Sequence, residues 1–404
     1  MISRRDAPAY YVKVAPPGGH AEAVDVTERV LSFAFDDEES KADKLELDLD
    51  NFDLALFDDP LWKHGNKLVV SWGYVGNMTT ARTMVVGKIT GSKALKVEAL
   101  AESILLNKDT KSQCFENMSP HDIAQAIAKR YGIPASQALL DEAKKQAPGV
   151  FASMTTQQAR MTDAQFLAHL ARRHGYVFAI KADGMHFERR NMDAAPIRTF
   201  EYYTDPEQGD VLDFSVENDV TMAPGAIAAK GRDPTEKKDI NERASNSETK
   251  RDGVAPITHT VSKRDLTTKT VTIAQDAVIL TTAPTAAVAK HQVDGKYIRA
   301  QQATVQLSLS VVGDPSVSAT QVIEVRGISK RLSGKYYVKA AKHKLTATSY
   351  VLDLTCHSDG SQGSPAAVGQ RSDAALNTKP PEDPKKLKPI TVFVDQRTLT
   401  TYRK

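Results

Sequence analysis

The amino-acid sequence predicts a β-rich α+β fold, in which small antiparallel β-barrels or sandwiches carry a short helical unit between them. Three observations predict it: short β-branched or aromatic runs that end at glycines, strict alternation of apolar and acidic residues, and two well-capped helices confined to one central stretch. With 404 residues, 41% of them hydrophobic, the chain is long enough for more than one core.

Residues 1–106 are predicted to form a first β-barrel domain. Leu45, Leu47 and Leu49 alternate with acidic residues, which is the period of a strand with one buried face. Residues 67–74 are a β-branched and aromatic run that a glycine ends shortly afterwards, as expected of further strands.

Residues 107–200 are predicted to form a small α+β insertion. Ser119 is a suitable N-cap for one helix, and Thr162 for a second helix that ends at Gly175. Two strand-like runs around an Asp-Gly turn at 183–184 then predict a hairpin.

Residues 201–358 are predicted to form a second β-barrel domain. A polar excursion at 231–275, almost without large apolar residues, indicates a long exposed loop. Residues 286–302 are a candidate helix, and residues 359–404 are predicted to be a tether that ends in two short strand-like runs.

Cysteine content and hydropathy restrict the compartment. Cys114 and Cys356 are too few for a disulfide framework or a cysteine metal site, so we expect two free thiols in a reducing cytoplasm. No apolar stretch approaches the roughly 18 residues of a transmembrane helix, and no apolar segment follows the basic N-terminus as a secretory signal requires.

The formal charge of +3 conceals a segregated distribution. Residues 1–60 hold fifteen acidic and six basic residues, a net of −9, so the rest of the chain carries +12. The acidic block is either a solvated face or a wall that keeps DNA from adhering. The sequence has no basic run interleaved with aromatics, which argues against a nucleic-acid binder.

Catalytic patterns are weak throughout the sequence. Tyr336 follows a Gly-Lys pair where a phosphate loop needs serine or threonine, and His169 and His174 are spaced too far apart to share a helical face well. The adjacent acids Asp36 and Asp37 are expected to be ordinary solvated residues. We therefore predict no catalytic, cofactor-binding or metal-binding residue, and no cofactor.

Spaced glycine, tyrosine and histidine residues mark the C-terminal part. Gly-Asp-Pro at 313–315 is followed by Gly334, Tyr336, Val338 and His343, and these residues resemble the pattern of the phage late control protein D family. That family comprises baseplate hub proteins of contractile tails and is related to the N-terminal portion of type VI secretion spike proteins.

The central helix extends this resemblance. Asp163, Phe166 and Leu167, followed by Gly175, look like the family's helix before its hairpin. The similarity covers about residues 1–358.

These motif positions are interpreted as structural. Gly334 is expected to supply a turn before a strand on which Tyr336 and Val338 share a face. His343 is expected to lie in the connection to the next strand, as a hydrogen-bonded packing residue rather than a ligand.

The resemblance implies two tube-like β-barrel domains with a small α/β insertion. It implies a homotrimer whose six barrels mimic one ring of the tail tube, in a virion baseplate assembled in the host cytoplasm. The implied partners are the central spike, the tail tube protein and other baseplate proteins, with DNA or a tape-measure protein passing through the lumen without specific binding and no membrane insertion. Two alternatives remain open: a cell-wall hydrolase at the tail tip, and an adaptor of a type VI-like secretion apparatus.

The polar excursion and the tether have no counterpart in the family pattern, and no spike-like repeat follows residue 358. We hypothesise that the terminal segment joins the spike or a neighbouring subunit by strand addition. Its apolar and aromatic candidates for this contact are Val392, Phe393, Val394 and Tyr402.

Overall fold

The computed structural model of the protein has two compact units, Met1–Val368 and Gly369–Lys404. Within the described ranges, no helix combines the length and apolarity that crossing a bilayer requires. The structure describes residues 7–15, 23–147, 149–152, 154–181, 183–202, 210–218, 224–245, 258–262, 268–272, 277–329, 332–359, 392–394 and 401–403.

One sheet of fourteen described strands dominates the first unit. Three short strands pair beside its main path: β6 (Asn77–Met78), β13 (Thr199–Glu201) and β21 (Val322–Arg326). The main path, in the order in which neighbours hydrogen-bond, is β14 (Val211–Asn218), β20 (Val305–Val312), β23 (Tyr350–Ser358), β22 (Gly334–Leu345), β3 (Val30–Glu38), β4 (Lys44–Asp50), β8 (Ala94–Ala101), β7 (Arg82–Gly91), β5 (Lys67–Tyr74), β1 (Pro8–Ala15) and β2 (Val24–Asp25).

The pairing of β3 with β22 joins strands from the two ends of the first unit. It is antiparallel and runs from Ala340 opposite Glu38 to Leu345 opposite Phe33. The predicted β-rich α+β class is confirmed. The expected closure into barrels is not found among the described strands, because this pairing continues the N-terminal strands into the C-terminal ones and the path has two ends.

Each half of the sheet covers its own hydrophobic core, since alternate side chains of every strand turn to the same face. The N-terminal core contains Leu45, Leu47 and Leu49, which are fully buried as the alternation predicted. The C-terminal core contains Phe200, Leu309, Tyr336 and Val338, among others. The boundaries 1–106, 107–200, 201–358 and 359–404 stay a prediction.

The insertion forms a third core, in which the helices pack on two small strand pairs. Ser119 and Thr162 each make a capping box, and Gly175 ends the second predicted helix in the left-handed conformation, as the sequence indicated. The helix α2 was not predicted. The elements are β9 (Thr110–Glu116), α1 (Pro120–Arg130), α2 (Gln137–Lys145), β10 (Thr155–Thr162), α3 (Asp163–His174), β11 (Val177–Lys181) and β12 (Gly184–Glu188).

A fourth core corrects the interpretation of the polar excursion. The polar excursion begins in a hairpin of β15 (Ala226–Arg232) and β16 (Asp239–Ser245), rather than in a loop. Ile227 and Ile240 are buried against the predicted helix, which is observed as α4 (Ala286–Gln301). The few apolar residues are enough to form this core because they alternate with polar residues along the strands and turn to one face. The remaining strands here are β17 (Thr258–Ser262), β18 (Thr268–Thr272) and β19 (Ala277–Leu280).

Short 3-10 turns link several strands, at Thr27–Arg29, Ala55–Phe57, Pro60–Trp62 and Glu102–Asn107. In the second unit, the described residues form one antiparallel pair of β24 (Val392–Val394) and β25 (Thr401–Arg403). The rest of the predicted tether, 360–391, 395–400 and residue 404, lies outside the described residues.

Candidate interaction surface and structural junctions

The water-facing side of the sheet carries a row of charged side chains across strands from both halves. We call it the charged face. Strand alternation explains it, because the residues between the buried leucines of β4 must point outward. Its members are Asp36, Lys44, Glu46, Lys88, Lys96, Glu98, Lys342, Lys344 and Asp353.

Opposite charges alternate along this face. Lys342 Nζ lies 3.1 Å from Asp36, and Lys44 Nζ lies 2.6 Å from Glu46 and 3.1 Å from Glu98. The hydrogen bond from Lys44 lowers the pKa of Glu46 despite partial burial. Lys342 on Asp36 and Lys96, whose Nζ lies 3.4 Å from Glu46, come from outside residues 1–60 and partly neutralise this acidic block. Sequence proximity did not reveal these pairs.

Glu39, just after β3, binds two arginines in the interior. Arg190 Nε and Nη2 donate to its carboxylate at 3.0 and 3.1 Å, and Arg299 Nη2 donates at 3.0 Å. The Arg190 guanidinium also lies over the Tyr337 ring, 5.0 Å from its centre. This cluster holds α4 and the segment that follows the insertion's hairpin against the sheet.

A second buried charge cluster lies near the turn between β3 and β4. Asp37 accepts a hydrogen bond from the Ala319 amide at 2.9 Å. Lys181 from the insertion donates to the Ala319 carbonyl. Burial and the neighbouring Asp37 carboxylate raise the pKa of Asp43 to about 7, although Arg82 opposes the shift from 3.4 Å. The N-terminal strands, the insertion and the C-terminal segment around Ala319 therefore meet at this point.

The C-terminal motif residues form a contact between the two halves of the sheet. His343 is buried, and its Nδ1 lies 2.7 Å from the Tyr350 hydroxyl, while its ring packs 5.3 Å from that of Trp72. Tyr74 donates to the Gly313 carbonyl at 3.0 Å. Gly313 is required there, because a Cβ would lie 2.2 Å from the Tyr350 ring.

The prediction that His343 lies in the connection to the next strand is wrong. His343 lies within β22, which is longer than the predicted strand because it pairs on both sides, with β3 and with β23. Gly334 is the first residue of the same strand, with φ of 150°. Tyr336 and Val338 both enter the C-terminal core.

The central motif residues organise the insertion. Asp163 is fully buried and accepts hydrogen bonds from Lys111 at 2.5 Å and Tyr131 at 2.7 Å. Burial alone would raise its pKa. The hydrogen bonds from Lys111, Gln158 and Tyr131 lower it instead, so the carboxylate stays ionised at the centre of the cluster. Phe166 and Leu167 fill the core behind it.

Gly175, the last motif residue, meets a glycine of another helix. A Cβ on Gly175 would lie 2.2 Å from the backbone carbon of Gly295, and one on Gly295 would lie 2.1 Å from the His174 carbonyl oxygen. The glycine that lowered the helical propensity of α4 is thus the place where the two backbones touch.

A cluster of histidines beside this contact was not found by sequence reasoning. Tyr176 Oη lies 2.8 Å from His291 Nε2, and the ring of His174 packs 5.5 Å from that of His291. Burial lowers the pKa of His291 to about 4 and that of His174 well below its usual range. No local signal could have found the cluster, because these histidines are 117 positions apart.

The terminal candidate residues lie in the second unit. Val392 pairs with Arg403, Phe393 with Tyr402, and Val394 with Thr401. Val392, Phe393, Val394 and Tyr402 thus pair within the chain in this structure.

The candidate catalytic groups do not converge. Asp36 and Asp37 point to opposite faces of β3, the first toward Lys342 and the second toward the Ala319 amide. His169 is exposed whereas His174 is buried. A groove of about 350 Å³ between the insertion and the N-terminal strands, lined by residues including Ile104, is bordered in the described part of the chain by no carboxylate or imidazole.

Two solved structures with similar folds are phage tail proteins. The tail protein of Neisseria meningitidis MC58 aligns with a TM-score of 0.61 at 14% identity, covering 88% of this chain and 98% of the other. The 43 kDa tail protein of prophage MuSo2 from Shewanella oneidensis aligns with a TM-score of 0.59 at 14% identity, covering 88% of this chain and 100% of the other. The resemblance to tail hub proteins is confirmed at the level of the fold.

A third similar structure comes from a secretion system. The E. coli c3393 protein, described as a component of the type VI secretion system with structural similarity to T4 tail proteins gp27 and gp5, aligns with a TM-score of 0.51 at 11% identity. The alignment covers 88% of this chain and 79% of that one. The chain thus has the fold of phage tail proteins, which this secretion component shares.

The chain belongs to the family described as the Alg8 N-terminal domain, whose model matches residues 45–347, about three quarters of the sequence. No curated protein matches the chain at a significant level. The more specific assignment to the late control protein D family stays a prediction.

Proposed function

We propose that the chain is a structural hub of a contractile phage tail or of an injection particle derived from one. As a homotrimer it would match a threefold central spike to the sixfold tail tube and enclose a channel, in the virion baseplate. Its fold similarity to tail proteins supports this role. The spike, the tube protein and other baseplate proteins are the proposed partners.

The pairing of β3 with β22 is the observation that carries the proposal. It turns two strand groups, each with its own core, into one continuous wall. A chain with two such halves can supply two positions of a ring, so three copies supply six. The buried bonds of Glu39 and Asp37 hold the halves and the insertion in fixed orientation, as a load-carrying part requires.

The charged face suits a surface past which DNA or a tape-measure protein moves. Because acids and lysines alternate there, it offers no single-sign patch that would retain a polyanion. If it lines the channel, passage occurs without specific binding.

The role is non-enzymatic in this proposal. The adjacent acids that a tail-tip hydrolase could use point apart and are engaged in hydrogen bonds. A turbidity assay with purified peptidoglycan tests the hydrolase alternative: the full chain should leave turbidity unchanged, and clearing would favour the enzyme.

The terminal strand pair is proposed to attach the spike. A two-stranded pair is marginally stable alone, and among the described residues no third strand pairs with either edge, so an edge can add a partner's strand. Deletion of residues 379–404 should release the spike from purified tails, and unchanged spike retention would refute this attachment.

An adaptor of a type VI-like secretion apparatus is a second candidate, favoured by the similarity to c3393. Mass measurement of the full chain, with and without the candidate spike, tests the trimer that both candidates require. A trimer is expected, and a monomer under every condition would contradict the hub. The particle with which the tagged chain co-purifies distinguishes the two candidates.

A further inference from the structure

A short loop after β4 exposes large apolar side chains to water. Phe52 is 75% exposed, Leu54 52% and Phe57 50%. We call residues 52–58 the apolar loop. Three such side chains within six residues cost solvation free energy in an isolated protein, and compact exposed groups of this kind mark interaction sites.

The apolar loop is held rigidly. Asn51 is fully buried and donates to the Ser92 carbonyl at 2.9 Å, while its side-chain oxygen accepts from the Leu56 amide at 2.9 Å. Leu56 is the one apolar side chain that turns into the core. Because the loop is already ordered, little conformational entropy is lost when a partner covers it.

Acidic side chains lie within the loop and immediately before it. Asp50, Asp53 and Asp58 are exposed, and in the described part of the chain none of them forms a salt bridge. Lys93 lies over the Phe52 ring, 5.6 Å from its centre. The surface of the partner is therefore expected to be basic.

A group of basic side chains, two of them exposed and two part-exposed, lies on α3 and α4 of the same chain. We call His169, Arg172, Arg173 and Lys296 the basic patch. The described residues place no carboxylate within salt-bridge distance of these four. His169, Arg172 and Arg173 share one face of α3 because they are three and four positions apart, and Lys296 follows Gly295, whose backbone contacts the end of α3. Burial and, after it, these like charges lower the pKa of His169.

The loop and the patch-bearing helix connect to opposite ends of one strand pair. β4 and β8 are antiparallel, with Asp50 opposite Ala94 and Lys44 opposite Leu100. The apolar loop follows Asp50, whereas α3 begins beside the segment that follows β8, where Thr162 bonds Asn107 at 3.0 Å. No ion pair joins the loop to the patch within the described residues of one copy, so each charge set remains available to another copy.

We propose that the apolar loop of one copy docks on the basic patch of the next, as the contact that closes the ring. The inference rests on the proposed function and names its subunit interface. Two different surfaces of one chain meet, so the contact is head-to-tail, and such contacts generate closed rings when the rotation permits. The partner is a second copy of the chain, because the chain's own basic patch carries the charge opposite to that of the apolar loop.

Three full-length variants test the interface by mass measurement in solution. The loop variant carries Asp53→Lys and Asp58→Lys, the patch variant carries Arg172→Glu and Lys296→Glu, and the third carries all four changes. Each single-surface variant should raise the apparent dissociation constant at least about tenfold, and the four-fold variant should recover assembly because the charges are exchanged. Asp141→Lys with Glu236→Lys, exposed acids elsewhere, is the matched control that should assemble normally.

The outcomes separate this inference from the proposed function. Trimers that form equally well in all variants would overturn the interface and leave the hub proposal intact. Reversed-loop trimers that fail to enter tails would also overturn it, since the loop would then face another protein. A wild-type chain that neither trimerises nor enters tails would refute both. Unchanged circular dichroism spectra confirm that each variant is folded.

Discussion

Arg190 binds Glu39 through two nitrogen atoms, at 3.0 and 3.1 Å, although the two residues are 151 positions apart in the sequence. Both side chains are buried, so the pair links the end of the insertion to the central sheet. A buried pair of this kind stabilises little relative to an apolar replacement, but losing Arg190 leaves the buried Glu39 carboxylate with Arg299 as its remaining arginine partner.

Arg190→Met should therefore lower the free energy of unfolding by up to about 3 kcal/mol, because the Glu39 carboxylate loses two of its three hydrogen bonds from arginine and keeps that of Arg299. Chemical denaturation provides the measurement. Lys344→Met, which removes an exposed ion pair with Asp353, is the control and should cost at most about 1 kcal/mol. Equal effects of the two substitutions would contradict the junction.

His343 should make the protein less stable in acid. Burial lowers its pKa to about 3 in the folded protein, whereas the unfolded imidazole titrates near about 6.5. As the pH falls from 6.5, only the unfolded chain takes up this proton, so stability is lost on the acid side, by about 3 kcal/mol at pH 4.5. Above pH 6.5 the group contributes no pH dependence.

His343→Gln should accordingly flatten the acid slope of the unfolding free energy, whatever its effect at neutral pH. The slope is read from denaturation curves between pH 6.5 and 4.5. His64→Gln at an exposed site is the control and should leave the slope unchanged. Parallel slopes for His343→Gln and wild type would show that the buried imidazole does not carry this pH dependence.

Gly295→Ala should destabilise the protein, although alanine favours a helix by about 1 kcal/mol. The new Cβ would lie 2.1 Å from the His174 carbonyl oxygen, so α3 and α4 must separate, at a cost of about 1–3 kcal/mol or more. Thermal unfolding measures it. Gly87→Ala, whose Cβ would be 3.7 Å from its nearest neighbour, is the control. A more stable Gly295→Ala protein would disprove the close contact.

Local rules predicted the elements that depend on neighbouring residues. The caps at Ser119 and Thr162, the alternation of β4 and the αL residue Gly175 are set within a few positions, and all are observed. The helix α4 was also predicted in spite of Gly295. A glycine is needed at this position because the backbone at the end of α3 touches α4 there.

Long-range pairing could not be predicted in the same way. The joining of β3 to β22 depends on strands about 300 positions apart, so the sequence suggested two barrels where one sheet is observed. His343 was placed in a connection because the second partner of β22 was unknown. The exposed loop around Phe52 was likewise missed, since exposure is a property of the folded surface.

The copy number of the chain in purified tail particles tests the central claim most directly. Quantitative mass spectrometry, referenced to the tube and spike proteins, should find the chain in every particle in a ratio of one to one with the subunits of a trimeric spike. Particles that assemble fully without the chain, or that contain it in no fixed ratio to the spike, would contradict its role as the hub.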